Sequence, residues 1–159
     1  MSHTLDLAAS QPLARCRERA REGVCQAIFT RRETTVLGSS DVIAFAAAAD
    51  LRRARVFYEQ TLGLLMVEHN DFACVFDANG TMLRITAVPE VSRTGYTVLG
   101  WRVPDIAAAV RGLTARGVVF LRYDGMDQDD IGVWTTPGGG KVAWFADPDG
   151  NILSLTQFR

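Results

Sequence analysis

The chain has 159 residues, of which 48% are hydrophobic and 22% are charged, and its formal net charge at pH 7 is -1. This composition is typical of a soluble globular protein with room for one domain, or for two small halves that share a core. The near-neutral charge gives no electrostatic reason to expect nucleic acid or an anionic membrane as a partner, and no apolar run approaches the roughly 20 residues that span a bilayer.

Residues 1–40 carry an amphipathic pattern that predicts a single helix. Pro12 lies near the start of that helix, where proline is tolerated. Arginine and glutamate side chains fill one face, which favours a solvated surface over a nucleic-acid-binding arm. The apolar residues of the other face follow at three- and four-residue spacing: Leu13, Cys16, Ala20, Val24 and Ala27. We expect an N-terminal extension whose accessory helix docks on the domain or on a partner subunit.

The cysteines and the N-terminal arginines indicate the cellular compartment of the protein. Cys16, Cys25 and Cys74 are odd in number and lack the spacing of metal ligands. No uninterrupted apolar segment follows the arginines, so a secretory signal is not expected. Reduced thiols and a cytoplasmic location follow as expectations.

From residue 41 onward, one strand–helix–strand pattern occurs twice. Each copy has an aspartate, Asp50 or Asp105, where a helix begins, and aspartate caps free backbone N–H groups there. Each copy then has a glycine at the helix end and a glycine turn before its last strand. The offset between the copies grows from 55 residues (Asp50 to Asp105) to 70 (Gly80 to Gly150), so a long loop is expected between the third and fourth segments of the second copy.

Each copy therefore predicts one strand, one helix and then three strands. Four short strands cannot close a barrel alone, so the two copies are expected to pair their curved sheets. Module 1 is placed at about residues 41–90 and module 2 at about residues 96–158, within a domain of residues 41–159.

The repeat resembles the vicinal oxygen chelate superfamily, which includes glyoxalase I, extradiol dioxygenases and bleomycin-resistance proteins. The resemblance covers about residues 41–158. It implies an α+β fold in which paired βαβββ modules with curved mixed sheets surround a central cavity, usually in a homodimer. The matching segments are Asp50-Leu51, Ala54 to Tyr58, Leu62-Gly63-Leu64, Arg116-Gly117-Val118, Ala143-Trp144-Phe145 and Asp147 to Asn151.

Metal-dependent members of that superfamily have a histidine seven residues before the helix-capping aspartate and a carboxylate in the last strand of each half. Such ligands suit divalent cations that keep positions open for substrate oxygens. The resemblance places Ile43 and Val98 at the histidine positions, and Arg84 and Ser154 at the carboxylate positions. Since none of the four is a strong metal ligand, we expect no metal and no other cofactor. The mechanisms of glyoxalase I and extradiol dioxygenases are not expected at this site.

Strand alternation predicts which side chains face the cavity. Arg84 is costly to bury alone, so it is expected either to pair with an acid of the protein or to receive an acidic ligand group. The long loop, residues 122–140, adds Tyr123 and Trp134, either as a lid that stacks on a planar ligand or as a plug. The predicted ligand-binding residues are Ile43, Phe45, Arg84, Val98, Arg102, Tyr123, Trp134 and Ser154.

Three functions stay open from the sequence, and no catalytic residue is assigned. The first is a metal-independent protein that binds a small organic molecule in the cavity without converting it, similar to the bleomycin-resistance members. The second is a metal-independent or atypical-metal lyase, isomerase or dioxygenase of the same superfamily. The third is an interaction or regulatory module fused to residues 1–40.

Overall fold

The computed structural model describes residues 36–159. Residues Val42–Arg159 form one compact unit. The accessory helix predicted to start at Ser10 lies outside the described residues, so it stays a prediction. None of the helices described for residues 36–159 has the length and hydropathy of a membrane span.

Module 1 has the predicted βαβββ order. Its elements are β1 (Ile43–Ala48), α1 (Leu51–Arg55), a π-helical continuation (Val56–Thr61), β2 (Leu65–His69), β3 (Ala73–Ala78) and β4 (Thr81–Ala87). The strand order is β1-β4-β3-β2, with β1 parallel to β4 and the other pairs antiparallel. Asn79 and Gly80 both have positive φ, 55° and 85°, as the predicted two-residue hairpin turn requires.

Module 2 repeats the arrangement with a longer loop. Its elements are β5 (Thr97–Arg102), α2 (Ile106–Thr114), β6 (Trp134–Thr135), β7 (Lys141–Ala146) and β8 (Ile152–Gln157), in the order β5-β8-β7-β6. Two four-stranded mixed, curved sheets confirm the predicted fold class. The apolar stretch after Gly117 forms only one isolated bridge, Phe120 to Phe145, and the second strand of module 2, β6, begins at Trp134. The long loop therefore lies between α2 and β6, and β6 falls within the predicted loop of residues 122–140.

Strand alternation separates a buried face from an opposite face that is exposed at Ile43 and Phe45 of β1 but buried at Val75 of β3 and Ser154 of β8. Leu83 and Ile85 of β4, and Leu153 and Leu155 of β8, point into one core that both modules share. Burial of such side chains is the main favourable term in folding. We call the opposite side of each sheet its open face, and the predicted ligand-binding residues of the strands are expected there.

The turn from Asp147 to Asn151 connects the two modules. Asn151 Nδ2 donates to the carbonyl oxygen of Ala47 at 2.8 Å, and Arg53 Nη2 donates to Asp149 Oδ1 at the same distance. Each of these hydrogen bonds joins a residue of module 1 to a residue of module 2. The turn therefore fixes how the two sheets are packed.

Candidate binding site on the open faces

The open face of module 1 carries a row of four side chains across its strands. Phe45 pairs with Arg84, Arg84 with Val75, and Val75 with Glu68. Ile43 lies one step along β1 on the same face. Ile43 and Phe45 expose 48% and 57% of their surface, so this face presents apolar area beside one guanidinium group.

Arg84 has no acidic partner in the part of the chain that the structure describes. The ion pairs within residues 36–159 are Arg53–Asp149 and Arg55–Glu59. Glu68, in the same row, instead accepts a hydrogen bond from Asn70 Nδ2 at 2.8 Å. The first alternative for Arg84, an ion pair with an acid of the protein, is therefore not seen among residues 36–159. The second alternative is that its guanidinium binds an anionic group of a ligand by donating hydrogen bonds.

The open face of module 2 is built around Ser154. Gly100 and Trp144 are its direct neighbours on β5 and β7. Ser154 is buried, and a Cβ atom at Gly100 would lie only 2.7 Å from Ser154 Oγ. Glycine at position 100 therefore lets the hydroxyl lie directly over the β5 backbone.

Three aromatic rings form a cluster around Trp144, the β7 neighbour of Ser154. The ring of Tyr123 meets Trp144 edge-on, with centroids 5.5 Å apart, and Trp134 lies tilted against Trp144 at 6.2 Å. Such edge-on and offset arrangements are the favourable ones for aromatic pairs. We call Tyr123, Trp134 and Trp144 the aromatic wall.

Hydrogen bonds from Gln128 set the position of the loop that carries Tyr123 of the wall. Gln128 Nε2 donates to the carbonyl oxygens of Leu121 and Gly132, at 3.0 and 2.8 Å, and its Oε1 accepts from the Tyr123 backbone N–H at 2.8 Å. Arg122 in turn donates to the carbonyl oxygens of Asp129 and Asp130. The loop is thus internally bonded, which holds Tyr123 against Trp144.

Sequence reasoning missed Trp144. It had placed this residue only in a family motif, yet strand pairing puts it directly opposite Ser154. The tight turn between β7 and β8 indicates two antiparallel strands, and Ser154 of β8 is expected on the open face. Counting the register outward from that turn would have placed Trp144 at the site.

The other predicted residues lie at separate places on the two sheets. Phe45 and Val98 line one cavity of about 540 Å³, together with the connector between the modules. A β-bulge between Thr97 and Leu99 interrupts the strict alternation on which the position of Val98 was predicted. Arg102 pairs with Thr156, and its guanidinium lies 5.5 Å from the ring centroid of Phe158.

The four positions compared with metal ligands do not fit a divalent cation. Ile43 and Val98 offer hydrocarbon, Arg84 offers a cation, and Ser154 offers a single hydroxyl. Within residues 36–159 there is no group of three or more histidine, cysteine or carboxylate side chains that could hold a metal ion. Charge-neutral and cationic groups of this kind suit an organic ligand better than a metal.

A family model described as the Glyoxalase/Bleomycin resistance protein/Dioxygenase superfamily matches residues 41–155. No curated protein sequence matches the chain.

Solved structures with the same fold include three with different named activities. A bleomycin-binding protein complexed with bleomycin is 21% identical, with a TM-score of 0.60, covering 76% of this chain and 100% of its own. Lactoylglutathione lyase from Agrobacterium tumefaciens is 18% identical, with a TM-score of 0.59, covering 76% and 95%. A fosfomycin resistance protein from Listeria monocytogenes is 14% identical, with a TM-score of 0.59, covering 76% and 94%. At these identities the likeness shows the fold alone.

Proposed function

The chain belongs to the glyoxalase/bleomycin resistance protein/dioxygenase superfamily, and from that premise we propose that it binds a small organic molecule on its open faces without a metal ion. The observation that carries the proposal is the aromatic wall beside Ser154. Ligand pockets are mostly apolar and aromatic, with a few polar groups that orient the ligand. Tyr123, Trp134 and Trp144 supply the apolar surface, and Ser154 Oγ supplies a hydrogen-bonding group next to it.

The chemistry of the two open faces favours a planar ligand body on one and an acidic group on the other. Aromatic side chains stack on planar groups, which supports an aromatic or conjugated ligand body against Trp144. On the other open face, that of module 1, Arg84 favours a ligand with an acidic group, because its guanidinium has no acidic partner within residues 36–159. Resistance to bleomycin itself is not part of the proposal.

We further propose that the protein is a homodimer. Ile43, Phe45 and Met82 expose about half of their surface on the open face of module 1, at 48%, 57% and 47%. Apolar side chains grouped on one face mark surfaces that a partner or a ligand covers. Sedimentation equilibrium is expected to give twice the chain mass, and a monomer at all concentrations would refute this point. The cytoplasmic location expected from the cysteines stays a prediction.

An enzyme of the same superfamily is the alternative function. The long loop of module 2 adds side chains to the site, as an enzyme would require. Nucleophilic catalysis, however, needs a base beside the nucleophile. Ser154 Oγ takes part in none of the side-chain hydrogen bonds found within residues 36–159. That geometry favours binding over conversion by Ser154.

The first test joins metal analysis with native mass spectrometry of protein purified without chelator. Metal-free protein that retains an organic ligand of unchanged composition would support the proposal. Stoichiometric divalent metal, or release of a chemically altered ligand, would overturn it in favour of the enzyme.

The second test probes the aromatic wall with 2-naphthoate, a planar aromatic acid. Calorimetric titration is expected to show saturable binding, which Trp144→Leu weakens by about tenfold because the stacking partner is lost. Phe72→Leu is the matched control, since Phe72 is an exposed aromatic side chain of module 1 that lies outside the wall. Equal affinity of Trp144→Leu and the unchanged protein would refute the assigned site.

A further inference from the structure

A crevice between the two modules is a second place where a small molecule fits. Its volume is about 330 Å³, within the range of small-molecule pockets. Module 1 contributes Leu62 and Leu64, which follow its helix, and module 2 contributes Trp101 and Leu113. The buried core residues Phe145 and Leu155 also line it, so the crevice reaches the core.

Two small residues of α2 leave this space unfilled. Ala109 and Gly112 both line the crevice. A Cβ atom at Gly112 would meet no other atom within 4 Å, so close packing does not demand glycine there. Glycine inside a helix is also less favourable than alanine. The helix therefore leaves room at a position where a larger residue would be tolerated.

The lining is apolar with a positive rim. It contains Arg102 and Arg116 and no acidic residue. Arg116 Nη1 donates to the carbonyl oxygen of Thr61 at 3.0 Å. Neither arginine takes part in the two ion pairs found within residues 36–159. Donors remain on the Arg116 guanidinium, which carries five N–H groups in all.

We infer that this crevice binds a small amphipathic carboxylate. The hydrocarbon part of such a ligand would pack on Trp101 and Leu113, and its carboxylate would pair with Arg116. Charge complementarity selects this class of ligand, because a guanidinium without an acidic partner binds carboxylates by charged, often bidentate, hydrogen bonds. The crevice shares no residue with the aromatic wall and does not depend on it.

A single-tryptophan variant tests the site independently of the proposed function. The chain has three tryptophans, so Trp134→Phe with Trp144→Phe leaves Trp101 as the sole one. Decanoate titrated into this double variant is expected to give a saturable change in Trp101 emission. Unchanged emission across the titration would refute the inference, whatever happens at the aromatic wall.

Substitutions in α2 then locate the ligand. Gly112→Leu fills the crevice and is expected to abolish the emission change. Gly112→Ala adds one methyl group and is expected to weaken decanoate binding in a helix that folds at least as well. Circular dichroism verifies the fold of both variants. Decanoate affinity equal to that of the parent variant in folded Gly112→Leu would overturn the assignment.

A further pair of substitutions tests whether decanoate binding requires the positive charge of Arg116, with a control residue in α2. Arg116→Gln is expected to weaken decanoate binding by about tenfold, the scale of one lost charged hydrogen bond. Arg111→Gln removes a similar charge outside the crevice and is expected to leave the affinity unchanged. Decanol, which lacks the carboxylate, is expected to bind more weakly than decanoate. Equal binding of decanol and decanoate would refute the role of Arg116.

Discussion

Tyr58 donates its hydroxyl hydrogen to Asp147 Oδ2 at 2.9 Å, in a buried contact that joins the π-helical segment of module 1 to the turn of module 2. Asp147 also accepts from Asn151 Nδ2 at 2.7 Å and from the backbone N–H groups of Asp149 and Asn151. Burial, with Asp147 as a second cause, raises the pKa of Tyr58, so the phenol keeps its proton at physiological pH. The carboxylate is thus fully surrounded by donors, and one of them belongs to the other module.

Tyr58→Phe tests this contact. The change leaves a buried carboxylate with one donor fewer, so the free energy of unfolding is expected to fall by about 1.5–3 kcal/mol. Urea unfolding followed by circular dichroism measures the loss. Tyr96→Phe, at an exposed tyrosine in the connector, is the control and is expected to change stability by less than about 0.5 kcal/mol. Equal stability of both variants would show that the hydroxyl contributes nothing.

Gly100 and Ser154 are expected to be coupled. A Cβ at position 100 would meet Ser154 Oγ at 2.7 Å, so Gly100→Ala must force the hydroxyl or the strand to move. We expect about 1–3 kcal/mol of destabilisation, and Ser154→Ala is expected to relieve most of it because the clashing atom is removed. A double-mutant cycle from urea unfolding measures the coupling. Additive effects would contradict the close approach of the two residues.

The Cys74 thiol is expected to be unreactive in the folded protein. Cys74 is fully buried beneath α1, its sulfur donates to the carbonyl oxygen of Leu51 at 3.6 Å, and burial raises the pKa of the thiol. Since the thiolate is the nucleophile, modification is expected only after unfolding. Iodoacetamide labelling of a Cys16→Ser, Cys25→Ser variant, with and without urea, isolates this residue. Rapid labelling without urea would contradict its burial.

Asp50 is expected to make stability depend on acid pH. Hydrogen bonds from the backbone N–H groups of Arg53 and Arg52 lower the pKa of this helix-capping carboxyl from its ordinary value of 3.8. Because the pKa of Asp50 is lower in the folded state, its carboxylate stabilises the fold at pH values above the pKa of the unfolded state. This stabilisation is lost as the pH falls through the pKa of the folded state. Asp50→Asn keeps a capping group that does not titrate. The difference in free energy of unfolding between the unchanged protein and this variant is therefore expected to shrink below pH 3.8. A deficit independent of pH would argue against this charge effect.

The sequence predicted the parts of the fold that depend on local spacing. Asp50, Gly80 and Asp105 marked helix starts and a hairpin, and each lies where it was expected because capping and positive φ are local requirements. The π-helical form of Val56–Thr61 has no signal in the residue spacing, and the hydrogen bond of its Tyr58 to Asp147 joins residues that are 89 positions apart in the sequence. The contacts of Trp144 with Tyr123 also follow from register and loop folding, which single-strand alternation does not show.

Gln128 is expected to control the order of the aromatic wall. Its amide forms three hydrogen bonds that close the loop between Leu121 and Gly132. Gln128→Ala removes all three, so the backbone N–H groups of residues 121–134 are expected to exchange faster while the rest of module 2 is unchanged. Hydrogen exchange with mass spectrometry measures this, with Gln60→Ala as control because Gln60 is exposed on the π-helical segment. Because Tyr123 then loses its fixed contact with Trp144, 2-naphthoate is also expected to bind Gln128→Ala more weakly. Unchanged exchange in residues 121–134 would show that other contacts hold the wall in place.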